Sequence, residues 1–232
     1  MKIGIMQPYF FPYLGYFQLI YAVNKMVIYD NIQYTKKGWF NRNRYLLNNE
    51  DRFFTIPIEK DSDFLDVYER KVSQNFNKEK IKNQINIAYR KAPFYDEIFP
   101  IFCDCIDFED YNLFNYIFNS IKQITNYLEI DTEIIISSSL NINHNLKGEE
   151  KVLAICKEIG ADEYINPIGG QNLYCKERFH QNNIILKFIM MNPNITYLQF
   201  GKEFIPALSI LDTLMFNSPQ SVKEMLRNYQ LK

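Results

Sequence analysis

Gln7 and Asp30 each follow a short apolar run, residues 1–6 and 26–29, and a polar side chain just past such a run is where this chain first offers chemistry. Asp30 can accept a proton from a substrate hydroxyl or amine as a general base, or it can cap the turn that follows. Between positions 31 and 44 the chain reads NIQYTKKGWFNRNR, with four cations interleaved among aromatic rings and side-chain amides. An arginine fork suits phosphate or carboxylate, and a lysine supplies a point charge. Arg42 and Lys36 are therefore the expected anion-binding groups, with Gln33, Tyr34, Trp39, Asn41 and Asn43 around the same ligand. Lys37 and Arg44 are read as solvated surface.

Further candidates lie downstream. Ser138, in a Ser-Ser-Ser run behind a third apolar segment, can hold phosphate through its hydroxyl and backbone amide or can simply form a polar turn. His144 is a second candidate base, without a partner at a diagnostic spacing. Gly169-Gly170, followed by Tyr174, lacks the full phosphate-loop pattern, so these glycines shape a loop beside a ligand. Asp212 sits in an apolar helical stretch and needs a partner if buried; Arg42 or Lys36 is the expected one, and Asp212 and Gln199 are both kept as substrate contacts. Tyr13-Leu14-Gly15-Tyr16 falls where nucleotidylyltransferases of the HIGH-motif kind carry His-x-Gly-His. Here the glycine aligns and both histidines are absent, so Tyr13 and Gly15 are kept as ligand contacts and adenylyl transfer as an alternative chemistry.

A frame is needed that brings residues 7 and 30 together. The helix-like stretch 17–24 between the two apolar runs gives a β-loop-α-β unit. Strand 133–136, an amphipathic helix over 149–159 closed by Gly160, and strand 162–166 repeat the arrangement, which predicts a parallel sheet. Ligands of such sheets sit beyond the carboxyl ends of the strands. A further strand is expected over 184–190 and a terminal helical region from 205–216. Apolar runs at 45–47 and 53–58, around the turn-rich 48–51, predict a hairpin that presents the basic cluster. Ile81, Ile85 and Ala88, then Leu113, Phe114, Ile117, Phe118, Ile121 and Ile124, recur at three- and four-residue spacing. The expected fold is one α/β domain over residues 1–232: a three-layer, Rossmann-like, mostly parallel sheet, a basic β-hairpin, and a mostly helical segment at about 77–130.

With 232 residues, 47% of them hydrophobic, the chain can bury one substantial core. A formal net charge of −1 gives no global attraction to nucleic acid. No run approaches the roughly 18 to 20 apolar residues of a membrane span, and no signal-peptide pattern is read at residue 1, so a cytoplasmic protein is expected. Cys103, Cys105, Cys156 and Cys175 form neither a CxxC pair nor a zinc pattern with His144 or His180. They are read as reduced structural thiols, and no metal site is expected. Aromatic residues make up 16%, more than a small core needs, as in surfaces that bind sugars or bases, although any single ring is read first as core.

The blocks MQPYFFPYLGYF, YDNIQYTKKGWFNRNR, FTIPI, IGADEYINPIGG and YLQFGKEFIPALSILDTLMFN, in this order across nearly the whole chain, resemble the WbqC-like protein family. That resemblance implies a setting in bacterial surface-polysaccharide synthesis, of O-antigen or capsule. The expected function is a transferase that modifies an activated, nucleotide-linked amino sugar, with acyl or aminoacyl transfer as the preferred subtype. The expected partners are that sugar and a group donor; whether ATP or an acyl carrier serves, and whether any cofactor is used, stays open, as does the oligomeric state. An ATP-using nucleotidylyltransferase or adenylate-forming ligase, and a noncatalytic sugar-nucleotide or protein-binding module, are the alternatives.

Overall fold

The structure, a computed structural model, describes residues 1–201 and 203–232. The first apolar run forms β1 (Lys2–Met6). Pro8 and Pro12 then interrupt regular structure, since proline lacks an N–H and disfavours right-handed helix in the residue before it, and the chain bends at Phe10 and Phe11. Tyr13 ends that stretch with an extended backbone, and α1 (Leu14–Ala22) starts there, earlier than the expected residue 17. β2 (Lys25–Ile28) returns parallel to β1, with Ile3 opposite Lys25 and Met6 opposite Ile28.

The basic cluster leads into an antiparallel hairpin of β3 (Arg42–Leu47) and β4 (Glu50–Thr55). Its two turn residues, Asn48 and Asn49, have φ of 54° and 61°. Positive φ at both central positions is the type I′ geometry that matches strand twist, and asparagine tolerates it better than most residues. β3 alternates in burial over its first four residues, with Asn43 and Tyr45 inward and Arg42 and Arg44 outward. The helical segment follows as α2 (Lys78–Tyr89), α3 (Tyr95–Asp107) and α4 (Leu113–Tyr127), broken near Pro93 as the sequence implied.

β5 (Glu133–Ile136) pairs with β2, and α5 (Gly148–Ile159) carries the chain back to β6 (Glu163–Pro167) on the other side of β1. After α6 (Lys176–Gln181), β7 (Ile185–Met191) joins β6. The terminal region departs from expectation. Pro206 lies before the helix, α7 (Ile210–Phe216) begins only at the Ser209 cap, α8 (Pro219–Arg227) follows, and a three-residue β8 (Tyr229–Leu231) pairs antiparallel with β7.

The sheet order is β5-β2-β1-β6-β7-β8, parallel except for β8, and the fold is α/β and Rossmann-like. Because successive strand residues face opposite sides, Ile3, Ile5 and Val27 pack with Val152 and Ile155 of α5 and Phe179 of α6 on one face. Met26 and Ile28 pack on the other face in the core that holds Leu19 of α1, Leu226 of α8 and the helical segment. Among the described residues no helix is long and apolar enough to cross a membrane.

Candidate functional site

β1 feeds strands to one side, β2 and then β5, and the chain comes back to lay β6 against its other side. The loops leaving β1 and β6 therefore diverge at the carboxyl edge of the sheet, which is where open α/β sheets hold ligands. A cleft of about 850 Å³ opens at this point. Gln7 and Tyr9 enter it from the loop after β1, Asn31 and Gln33 from the segment after β2, and Asn166, Gly170 and Tyr174 from the end of β6 and the turn behind it. Phe64 and Asp66 form a further wall, and His144, Lys147, Gly148 and Lys151 close the side toward α5. Gly170 is a packing requirement: a Cβ there would lie 2.0 Å from Asn166 Nδ2, so any side chain would displace the amide from the cleft floor.

Lys151 is the strongest electrostatic feature. It is 8% exposed, and its ammonium donates to the Asn31 main-chain oxygen at 3.2 Å and to Asn31 Oδ1 at 3.0 Å. It also lies 5.1 Å from the centre of the Tyr29 ring. Burial pulls its pKa below the ordinary lysine value, with Asp66 and Asp30 opposing the shift. The carboxyl of Asp66 is pushed up, first by burial and then by Glu69, while Lys151 acts against it. No side chain caps the amino end of α5, where Gly148 lines the cleft. The acids of its first turn, Glu149 and Glu150, are engaged by Arg178 at 3.1 and 3.2 Å. The α5 side of the cleft thus combines two lysines with unshared helix N–H groups, an anion-favouring end.

His144 is held at both ring nitrogens. Asn31 Nδ2 donates to Nδ1 at 2.9 Å, because an amide NH₂ cannot accept, and Nε2 donates to the Leu140 carbonyl at 3.0 Å, because a carbonyl cannot donate. This fixes the Nε2–H tautomer and leaves no ring lone pair for a substrate proton. His144 lines the cleft as a buttress of Asn31.

The other sequence candidates divide sharply. Gln7, Gln33 and Tyr174 line the cleft with His144. Gln7 Oε1 accepts from Tyr9 at 3.3 Å, and Gln33 Nε2 donates to the Asp63 carbonyl at 2.9 Å. Asp30, expected to face the ligand, is buried, and its Oδ1 accepts from the backbone N–H of Ser138 at 2.9 Å. Asp30 and Ser138 thus fasten the turn Ser137–Ser139 to the end of β2. Asn41 and Asn43 point inward along the hairpin: Asn41 donates to Ile56 and accepts from Tyr34, and Asn43 donates to the carbonyls of Phe10 and Phe11 at 3.0 and 2.8 Å. Phe11 has φ of 43°, so Asn43 holds a left-handed bend in the loop behind β1.

Arg42 does not reach the cleft. Its guanidinium donates to the carbonyls of Gly38 and Lys37 and lies 5.2 Å from the Phe53 ring, which stacks with Trp39. Lys36 makes an exposed ion pair with Asp63 at 2.8 Å. Asp212 is fully buried, and its partners are neither Arg42 nor Lys36. It accepts from Tyr89, Tyr197 and Gln199 at 2.9, 2.7 and 2.6 Å. Tyr13 lines a separate, mostly apolar cavity with Met190 and Tyr197, and Gly15 makes room for the Tyr13 ring, 2.4 Å from where a Cβ would lie.

Sequence reasoning passed over Lys151, Asn31, Asp66 and Asn166. For Lys151 a signal existed, since it shares a helix face with Val152 and Ile155, where a solvated lysine does not belong. Asn166 closes one expected strand, and Asn31 stands just past another. Asp66 carried no signal, because only the long excursion between β2 and β5 brings it to the sheet edge.

The family model of the WbqC-like protein family matches residues 7–224. Among curated relatives, an uncharacterized protein of Mycobacterium tuberculosis is 26% identical over 231 residues, covering 97% of each chain. No solved structure matches the chain significantly.

Proposed function

The chain belongs to the WbqC-like protein family, and from that premise we propose that it is a transferase that modifies an amino sugar carried on a nucleoside diphosphate, in the assembly of a surface glycan such as O-antigen or capsule. The observation that carries the reading is Lys151: a buried ammonium at the strand-order reversal, beside the uncapped amino end of α5. An α/β cleft with that charge suits a phosphate-linked ligand, as helix N-terminal amides and a lysine complement phosphate oxygens. Lys147 adds a second cation on the same wall.

Acyl or aminoacyl transfer is the preferred chemistry. The sugar amine attacks the donor's carbonyl carbon, a C–N bond forms, and the bond from that carbon to the donor's leaving heteroatom breaks. Asp66 takes the amine proton and returns it to the leaving group. A carboxyl raised by burial is a stronger base than an ordinary one, which suits it to this role. Gln7, whose Nε2 has no partner among the described residues, is available to orient the sugar.

The deciding experiment is mass spectrometry of nucleotide-linked amino sugars incubated with the protein and acyl or aminoacyl donors. A mass gain equal to the transferred group supports the reading. Pyrophosphate released from ATP would assign adenylate chemistry instead, and tight sugar-nucleotide binding without turnover would make the protein a binding module.

A further inference from the structure

Two apolar side chains stand in solvent at the mouth of this cleft: Phe64 is 85% exposed and Leu173 is 69% exposed. Phe64 rises from the wall that holds Asp66, and Leu173 ends the short turn Ile168–Leu173 that leaves β6 on the other side of the opening. Isolated exposed apolar residues are common, but a pair set on the rim of a ligand-sized cleft is a contact surface without its contact.

Phe64 is not a loose loop tip. The backbone on both sides of it is fastened: Asp63 O accepts from Gln33 Nε2 at 2.9 Å, Ser62 O accepts from Arg70 at 2.7 Å, and Leu65 O accepts from the Tyr34 N–H at 3.0 Å. The Lys36–Asp63 ion pair adds a further tie. The ring is therefore presented by a pinned segment while its own faces stay in water. Such a platform loses little conformational freedom when a flat group covers it.

We infer that Phe64 and Leu173 clamp the nucleobase of a nucleoside diphosphate, with the diphosphate turned inward to Lys151 and the amino end of α5. This rests on the anionic-ligand reading of the cleft and names the part of the ligand that lies at its rim. Inside the cleft the polar groups of Asn31, Lys151, Asp66 and Asn166 stand beside apolar side chains such as Ile5, Ile32 and Val152, and the cations that suit a diphosphate lie on the α5 side. A base needs apolar contact only on its two faces and can leave its polar edge in solvent, which is what a rim of one aromatic and one aliphatic side chain provides.

The test is titration calorimetry with two probes, uridine diphosphate and inorganic pyrophosphate, on the wild type and on Phe64→Ala, Phe64→Trp and Leu173→Ala. Phe64 is so exposed that its truncation leaves the fold intact. The wild type should bind uridine diphosphate more tightly than pyrophosphate. Phe64→Ala should weaken the nucleotide about tenfold and leave pyrophosphate unchanged, Phe64→Trp should retain nucleotide affinity, and Leu173→Ala should give a smaller loss. The clamp is overturned if the wild type binds both probes equally, or if Phe64→Ala keeps its full nucleotide affinity; either result leaves the anion site standing. Failure of the wild type to bind either probe overturns the cleft reading and the clamp with it.

Discussion

Lys151 Nζ reaches across from α5 to both oxygens of Asn31, the side-chain Oδ1 at 3.0 Å and the main-chain carbonyl at 3.2 Å. One ammonium thereby ties the helix to the segment behind β2 and keeps a positive charge at the cleft wall. The same Asn31 donates to His144 and accepts from Ser137 at 2.9 Å, so its amide is fixed from three directions.

Lys151→Met should weaken pyrophosphate and nucleotide binding at least about tenfold, the scale of one lost hydrogen bond to a charged group. Burial disfavours the ammonium, so the charged lysine costs stability below its lowered pKa and methionine removes that cost. The variant should melt within about 3 °C of the wild type. Calorimetry with a parallel melting curve checks both, and undiminished affinity would take Lys151 out of the binding site.

Asp66→Asn separates chemistry from binding. The Asp66 carboxyl sits above the ordinary value of 3.8, mainly through burial. A carboxyl with a higher pKa folded than unfolded holds its proton more tightly in the folded state. Its ionisation therefore lowers stability as pH rises from 3.8 through the raised value. The Asp66→Asn protein should be at least as stable as the wild type at about pH 7 while losing roughly 100-fold or more in turnover. Wild-type turnover should rise with pH through an acid limb that lies above the ordinary aspartate value of 3.8. Turnover that survives the substitution would remove the base role.

Arg42→Ala should act on stability and not on the ligand. Its guanidinium bonds to Gly38 and Lys37 and rests on Trp39 and Phe53. Loss of these contacts should cost about 1–2 kcal/mol in urea unfolding. Pyrophosphate affinity should stay at the wild-type level, and a large drop would place Arg42 in the ligand's path after all.

Asp212→Ala removes the acceptor shared by Tyr89, Tyr197 and Gln199 and leaves three donors around a fully buried position. The expected loss is about 3 kcal/mol, with Asp212→Asn milder because its amide oxygen still accepts. Denaturant unfolding of the two variants checks the order.

The sequence alone determined the parts of this protein that depend on local periodicity. Short β-rich runs, the amphipathic pattern of 149–159 and the asparagine turn of the hairpin each specify an element by steric and burial rules within a few residues. Alternation of those elements is enough to require a parallel α/β sheet, and with it a cleft beyond the ends of β1 and β2, where Gln7 lies. The inward or outward direction of a polar side chain is another matter. Arg42 and Asn43 are neighbours of similar local signal, yet strand pleating sends the arginine to the Trp39 face and the asparagine to the Phe10 and Phe11 carbonyls. Only the tertiary structure decided which charges meet in the cleft, because Asp66 and Lys151 are brought to Asn31 by separate chain excursions, and no sequence spacing encodes a contact closed across a folded sheet edge. Asp30 shows the same limit from the other side: it stands at the predicted strand end, but the backbone N–H of Ser138, delivered by β5, claims its carboxylate.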